Sequence, residues 1–480
     1  MPILEKIYIH AIENPNKCAI IYKDQSYSYK NLALDIQSTS QVLIKKGVKK
    51  NNKIILRASN TYQFICVYFS IHMLGGVVIL IPSEKDESFE KMVTSATSPQ
   101  LNIENADFFF QKHNSEQHVL KNYFKIDANK TADIIYSSGT TGQPKGAAIT
   151  HHKQCLATQH IIEHVKNDNH DTELILMPLS HSFGLGRLRS VLYSGGSLII
   201  GPAVFNLKEI FSYMKKYNVN GLGLVPSAWN ILRKLSKDSF IKFADQIKYI
   251  EFGSAYLSIT EKKYIKKTFL NANVVMHYGL TEVSRATFIN FKSDDIEAVG
   301  KIDKNVGVII LDKDGKVVEN NEIGEILLKS SWMIDEYYDN YLLNTNAFHD
   351  GYIKTGDLGK VSNGYLYLTG RLKEIINIGG RKVSPNYIES KLNSISIVDE
   401  SVCFGIPHKE MGECVVAFLV IKDILNIKNK DIIKEVNSSA IKIMPAYMVP
   451  EKIILIDEIP KTVSGKIKRH KLVSSILDHA

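Results

Sequence analysis

The sequence predicts an α/β protein: a large N-terminal domain of doubly wound mixed and parallel sheets with an antiparallel subdomain, followed by a small mobile α+β C-terminal lid. Three observations carry this expectation. Strand and helix signals alternate from about residue 130 to 290, short strands with turn signals such as DKDG and SNG follow from about 305 to 370, and mixed helices and strands fill the rest. At 480 residues the chain exceeds what one core supports, so two domains are expected, 1–370 and 374–480. No low-complexity tether separates them, which makes 371–373 a short hinge.

The start, MPILEKIYIHAIENPNK, carries charges where a signal peptide needs an apolar core, so a cytoplasmic location is expected. Five cysteines, with no CxxC or Cys/His ligand spacing, suit free thiols in a reducing compartment. Phe64 to Pro82 is uncharged and nearly long enough to span a bilayer, but Gly75-Gly76 divides it into a helical half and the β-branched VVILIP. A buried helix-turn-strand is expected there, and no membrane span. The net charge of +9 comes almost wholly from lysines scattered along the chain, which suits a solvated surface and no nucleic-acid partner. Only eight of the 59 basic residues are arginine, so each arginine is worth locating.

Between 130 and 290 the apolar runs DIIYS, ELILMPLS, GGSLIIG, NGLGLVP, IKYIEFGS and NVVMHYG alternate with amphipathic stretches such as NLKEIFSYMKKYN and SITEKKYIKKTF. Several runs are followed by small and polar residues: SSGTTG, SHSFGLG, SAYL and LTE. Ligands of open α/β sheets bind beyond the carboxyl ends of strands, so these four loops are expected to meet over one site. The lid is read from PNYIESKLN, SVCFGIP, ECVVAFLVIK, DIIKEVNSSAIKIM and KIILIDEIP.

The first loop, in IIYSSGTTGQPKGAA (134–148), has the composition of a phosphate clamp. Gly139, Gly142 and Gly146 allow close backbone approach, Ser137, Ser138, Thr140 and Thr141 supply donors, and Lys145 brings a mobile positive charge. It fails the Walker pattern, because Pro144 precedes the lysine and Gly146 follows it. A turn between neighbouring strands would use the same residue types.

YSSGTTGQPKGA resembles the signature loop of the adenylate-forming superfamily, which includes acyl-CoA synthetases, nonribosomal-peptide adenylation domains and luciferases. Further segments resemble that family's motifs in the same order: MPLSHSFGLG (177–186), HYGLTE (277–282), YIKTGDLG (352–359), GRLKEIINIGGRKVSP (370–385) and IPKTVSGKIKR (459–469). The resemblance implies ATP and Mg²⁺ as cofactors, with Glu282 as magnesium ligand and Thr281 near the α-phosphate. It places Tyr278 and Gly279 by adenine, extends the nucleotide site to Ser254, Ala255, Tyr256 and His277, and gives Asp357 and Arg371 the ribose hydroxyls. It makes Lys466 the catalytic cation, touching both the substrate carboxylate and the α-phosphate. A solvated basic face would also explain KIKRHK.

By the same resemblance His181 positions the acid, Lys373 is the hinge, and Ile378, Gly379, Gly380 and Arg381 line a tunnel for pantetheine. The acyl pocket is expected from Phe183, Gly184, Gly186, Val225, Gly253, Ser254, His277 and Ser284, a mixture of residues too small to exclude an aryl or a medium-chain acid. Arg187 and Arg189 could recognise a second acidic group or could be structural. Tyr256 departs from the family pattern, standing where proline is common, and His277 stands unusually before the tyrosine.

The expected reaction is that of an AMP-forming acid–thiol ligase, which adenylates a small carboxylic acid and transfers the acyl group to coenzyme A. Alternative acceptors and functions are the phosphopantetheine of an acyl carrier protein and a noncatalytic nucleotide sensor. An amino-acid-activating module is disfavoured because Gly184, not aspartate, follows Phe183. A monomer or a homodimer is expected.

Overall fold

The computed structural model describes every residue except 84, 86, 115–124, 138–144, 423–428, 463–466, 470 and 473–480. The chain forms two compact units, Met1–Gly307 with Lys329–Gly351, and Val308–Leu328 with Tyr352–Ala480.

The first unit holds a five-stranded sheet in the order Leu101–Ile103, Lys53–Arg57, Val77–Ile81, Thr131–Ser137, Lys145–Thr150. The first four strands run parallel and the last turns back antiparallel, with Ser137 opposite Lys145. A second sheet aligns Asn273–Tyr278, Tyr249–Phe252, Gly221–Leu224, Thr172–Ile175, Ser197–Ile200 and Cys18–Tyr22 in parallel. The alternating run from 130 to 290 is therefore divided. Thr131–Ser137 pairs with Val77–Ile81, and the later strands build their own sheet. Local periodicity identifies a strand but carries no information about which neighbour it pairs with.

Both expected halves of Phe64–Pro82 are present. Helix Tyr62–Met73 buries eleven of its residues, and strand Val77–Ile81 follows. At twelve residues this helix is roughly 18 Å long, against the ~30 Å of a bilayer core. No described helix is long and apolar enough to cross a membrane. Its polar groups are anchored on carboxylates: Tyr62 Oη donates to Asp35 Oδ2 at 2.7 Å and Tyr68 Oη to Asp133 Oδ2 at 2.8 Å, while His72 Nε2 lies 2.9 Å from Asp133 Oδ1. Asp133 also accepts from Gln154 Nε2 at 2.7 Å and pairs with Arg189. Burial would raise its pKa, but Arg189 and His72 outweigh that and hold it below the ordinary value. These bonds fix the strand that leads into residues 138–144.

In the second unit, strands Tyr352–Ser362 and Tyr365–Arg371 pair antiparallel, with Gly324–Ser330 on the far side of the first. Beyond them, Val398–His408 and Gly412–Ile421 form a long hairpin, and the other side of Gly412–Ile421 takes both Ile376–Ile378, which pairs with Arg381–Val383, and the parallel strand Lys452–Leu455. Helices Pro385–Leu392 and Asn429–Ile443 cover this sheet through Ile388, Leu392, Ile432, Val436 and Ala440.

Candidate active site

On the phosphate side, the side chain of Ser137 and all of Ser138, Gly139, Thr140, Thr141 and Gly142 lie outside the described residues. Lys145, where the return strand begins, is described, and its ammonium lies 5.6 Å from the ring centre of Tyr337. Tyr337 in turn donates its hydroxyl to Glu282 Oε1 at 2.7 Å. The backbone around it fixes both partners, because Tyr338 N donates to Gly146 O at 2.7 Å and Ile334 N to Glu282 O at 2.9 Å. Trp332 Nε1 adds a bond to Val283 O at 2.8 Å. Burial, then the Glu282 carboxylate, push the Tyr337 phenol far above its ordinary pKa, so it stays a donor. Glu282 itself is buried.

The loops after the strands are tightly built. Ser254 (φ +73°) and Ser284 (φ +52°) both occupy the left-handed region, which costs about 1–3 kcal/mol for a side-chain-bearing residue and clusters at functional loops. A methyl group on Gly279 would lie 1.9 Å from Ser284 O, so the turn after Tyr278 closes only around glycine. Ala255 follows Ser254, and Tyr256 is 66% exposed. Half-buried His181 precedes helix Ser182–Ser194, and its carbonyl accepts from Leu185 N at 3.0 Å. Thr281, Glu282 and Ser284 line one cavity of about 20 Å³ with Ser182, Gly186 and Arg189. That is room for one or two waters.

Beside this cavity lies a buried charged cluster. Arg187 donates through Nε to Glu173 Oε1 at 3.0 Å and through Nη1 to Glu251 Oε2 at 2.9 Å. Arg285 donates through Nε to Glu251 Oε1 at 2.9 Å, and through Nη1 and Nη2 to the carbonyls of Ser182 (2.9 Å) and Phe183 (3.0 Å). His277 Nδ1 is 2.7 Å from Glu251 Oε1, and its ring meets Phe183 edge-on at 4.9 Å. Burial would raise the Glu251 pKa, but Arg285 and Arg187 hold it far below the usual carboxylate range; burial lowers that of His277, keeping the imidazole neutral. Arg187 is thus part of an internal ion network, and Arg189 pairs with Asp133. Val225 is buried and caps helix Pro226–Ser236.

In the second unit, Asp357 and Arg371 stand opposite each other across paired strands, with Arg371 Nε 3.0 Å from Asp357 Oδ1. Asp357 is buried, and its backbone N–H is held by Thr355 Oγ1 at 3.0 Å. Lys373 is exposed in the single turn Leu372–Glu374. Gly379 (φ +56°) and Gly380 (φ +80°) form the two-residue tip of a hairpin, the conformation a primed turn demands. Arg381 leaves this tip over the Tyr447 ring at 4.5 Å, whereas Ile378 is buried in the sheet's core. Lys466 lies outside the described residues.

A profile of the AMP-binding enzyme family matches residues 9–117 and 82–338, and one of the AMP-binding enzyme C-terminal domain matches 387–466. The chain belongs to the AMP-binding enzyme family. It is 27% identical over 473 residues to the oxalate–CoA ligase of Saccharomyces cerevisiae, covering 96% of this chain and 81% of that one. It is 24% identical over 477 residues to the 2-succinylbenzoate–CoA ligase of Listeria monocytogenes, covering 96% of both. The crystal structure of ATP-bound MatB from Rhodopseudomonas palustris superposes with a TM-score of 0.87 at 22% identity, over 100% of this chain and 99% of that one. That last likeness bears on the fold, and it agrees with the α/β architecture expected from the sequence. The resemblance carried by the motifs is borne out.

Two parts of this AMP-binding enzyme's site escaped the sequence reading. Tyr337 had no local signal, since it lies between strands in a stretch with no motif. Arg285 had two, its rarity and its position three residues after Glu282.

Proposed function

We propose that this AMP-binding enzyme is an AMP-forming acid–CoA ligase acting on a small carboxylic acid. A carboxylate oxygen attacks the α-phosphorus of ATP, the bond from that phosphorus to its bridging oxygen breaks, and pyrophosphate leaves. The sulfur of the thiol then attacks the acyl carbon, AMP departs, and the thiol proton passes to solvent. The curated relatives described above are CoA ligases, which supports coenzyme A over a carrier protein as acceptor.

The observation that supports this reading best is the Lys145–Tyr337–Glu282 arrangement, in which one tyrosine stands between a lysine ammonium and a buried carboxylate on adjoining elements. Lys145 would hold the departing β- and γ-phosphates. Glu282 would offer the carboxylate oxygens that magnesium takes, the ion arriving with ATP would shield phosphate charge there, and the Thr281 hydroxyl would lie near the α-phosphate. Tyr278, Gly279, Ser254, Ala255, Tyr256 and His277 would form the adenine side, and the Asp357–Arg371 pair would take the ribose hydroxyls. Lys466 would neutralise the approaching carboxylate and the α-phosphate and withdraw for the second step by movement at the hinge 371–373, the boundary we propose between the adenylation domain and the lid. His181 would orient the acid, and Gly379, Gly380 and Arg381 would line the thiol's path with Ile378 behind them.

The test is ATP–pyrophosphate exchange across a panel of carboxylic acids, followed by the dependence of AMP release on coenzyme A. Acid-stimulated exchange with CoA-dependent release is expected. Nucleotide binding without acid-stimulated exchange would mean a sensor, and release dependent on a loaded carrier protein would change the acceptor.

A further inference from the structure

The glycines that give the sequence the look of a roomy acyl pocket have their free faces occupied. A methyl group on Gly186 would lie 2.1 Å from Arg285 Nη1, one on Gly253 would lie 2.0 Å from His277 Cε1, and one on Gly184 would lie 2.1 Å from the Pro178 carbonyl. Phe183 is itself covered, with the Arg285 guanidinium 5.0 Å from its ring centre. The small residues therefore make room for the protein's own arginine and histidine, both tied to Glu251. Nothing in the chemistry of that cluster invites an alkyl or aryl chain, because displacing Arg285 or His277 would strip a buried carboxylate of its partners.

What remains beside Thr281, Glu282 and Ser284 is the cavity of about 20 Å³. Ser182, Gly186 and Arg189 bring one face of their helix to it, Gln154 comes from the helix His151–Val165, and Ile135, Ile149, Ile161 and Trp332 make much of the remaining wall apolar. Arg189 is 7% exposed and commits Nη2 to Tyr68 and Asp133, yet its buried Nε–H has no hydrogen-bond partner among the described residues. A buried donor left unmet costs about 1–3 kcal/mol, so an oxygen atom placed against this N–H would be favoured.

Building on the ligase reading, we propose that the acid is short and ends in a second oxygen-bearing group, a carboxylate, oxo or hydroxyl, of which only the terminal atoms enter this cavity and meet Arg189 Nε. Oxalate, glycolate and malonate belong to this class. Hexanoate and benzoate are too long for it, and propionate lacks the second oxygen.

The experiment is acid-dependent ATP–pyrophosphate exchange by the full chain, comparing kcat/KM for malonate, glycolate, propionate, hexanoate and benzoate. Malonate or glycolate is expected to exceed propionate about tenfold or more, with hexanoate and benzoate lower still. Arg189→Lys keeps a cation for Asp133 while removing the Nε donor, and should reduce the malonate-to-propionate ratio at least several-fold while its thermal unfolding remains cooperative. Preference for hexanoate, benzoate or propionate in the unaltered enzyme overturns the proposal and leaves the ligase reading standing. Absence of exchange with any acid overturns the ligase reading and this inference with it. If the lysine variant fails to fold, the unaltered enzyme's panel still decides.

Discussion

Tyr337 donates to Glu282 at 2.7 Å and lies beneath the Lys145 ammonium, so Tyr337→Phe removes one hydrogen bond and keeps the ring. A bond to a charged group contributes about 1.5–3 kcal/mol, and the variant should raise the KM for MgATP roughly tenfold or more while leaving the KM for the acid little changed. An unchanged MgATP KM would dissociate Tyr337 from nucleotide binding. Lys466→Ala should abolish adenylation but spare thioester formation from supplied acyl-adenylate, and equal loss of both steps would refute that division. Lys145→Ala should weaken ATP use and leave the second step largely intact, as measured with the same supplied adenylate. Lys145 and Glu282 were marked in the sequence as candidates because each sits in a short motif whose residue types suit phosphate or metal chemistry. Tyr337 was not, since its role comes from a hydrogen bond spanning 55 positions.

Strand Tyr249–Phe252 is buried at every position and still carries Glu251, and Thr172–Ile175 carries Glu173. Carboxylates in apolar strands were the sequence's visible sign of buried partners, but which of the eight arginines answered them depended on the helix Ser182–Ser194 and the turn after Glu282. Strand and helix positions were otherwise well marked by their apolar periods. The division of those strands between two sheets was not, because pairing is decided by side chains far apart in the chain. The closeness of His277 to Gly253 gives a test at this scale. Gly253→Ala should destabilise the first unit by about 1–3 kcal/mol through overpacking, seen as a lowered denaturant midpoint with unchanged m-value. An unaltered midpoint would mean that the imidazole moves aside freely.

For the whole molecule, two histidines outside the buried charged cluster set an acid limit. Burial, then neighbouring His72, lower the His151 pKa to about 3, and burial, then neighbouring His164, lower that of His160 to about 4. Both are neutral when folded and take up a proton near pH 6.5 when unfolded, so their contribution is complete above about pH 6.5 and is lost progressively as pH falls towards the folded values. Between pH 6.5 and 5 each should withdraw ~2 kcal/mol, and the thermal midpoint should fall over that interval. A flat profile would show that these rings gain a proton without unfolding the chain. The buried quartet of Arg187, Arg285, Glu173 and Glu251 carries equal and opposite charge. Removing Arg285 alone leaves a carboxylate short of a cation, whereas removing Arg285 and Glu251 together leaves Arg187 matched with Glu173. A lineage exploring new acids would therefore have to cross an unstable intermediate or change two codons at once, and a directed library varying Arg285 and Glu251 jointly should yield folded enzymes that single-site libraries miss.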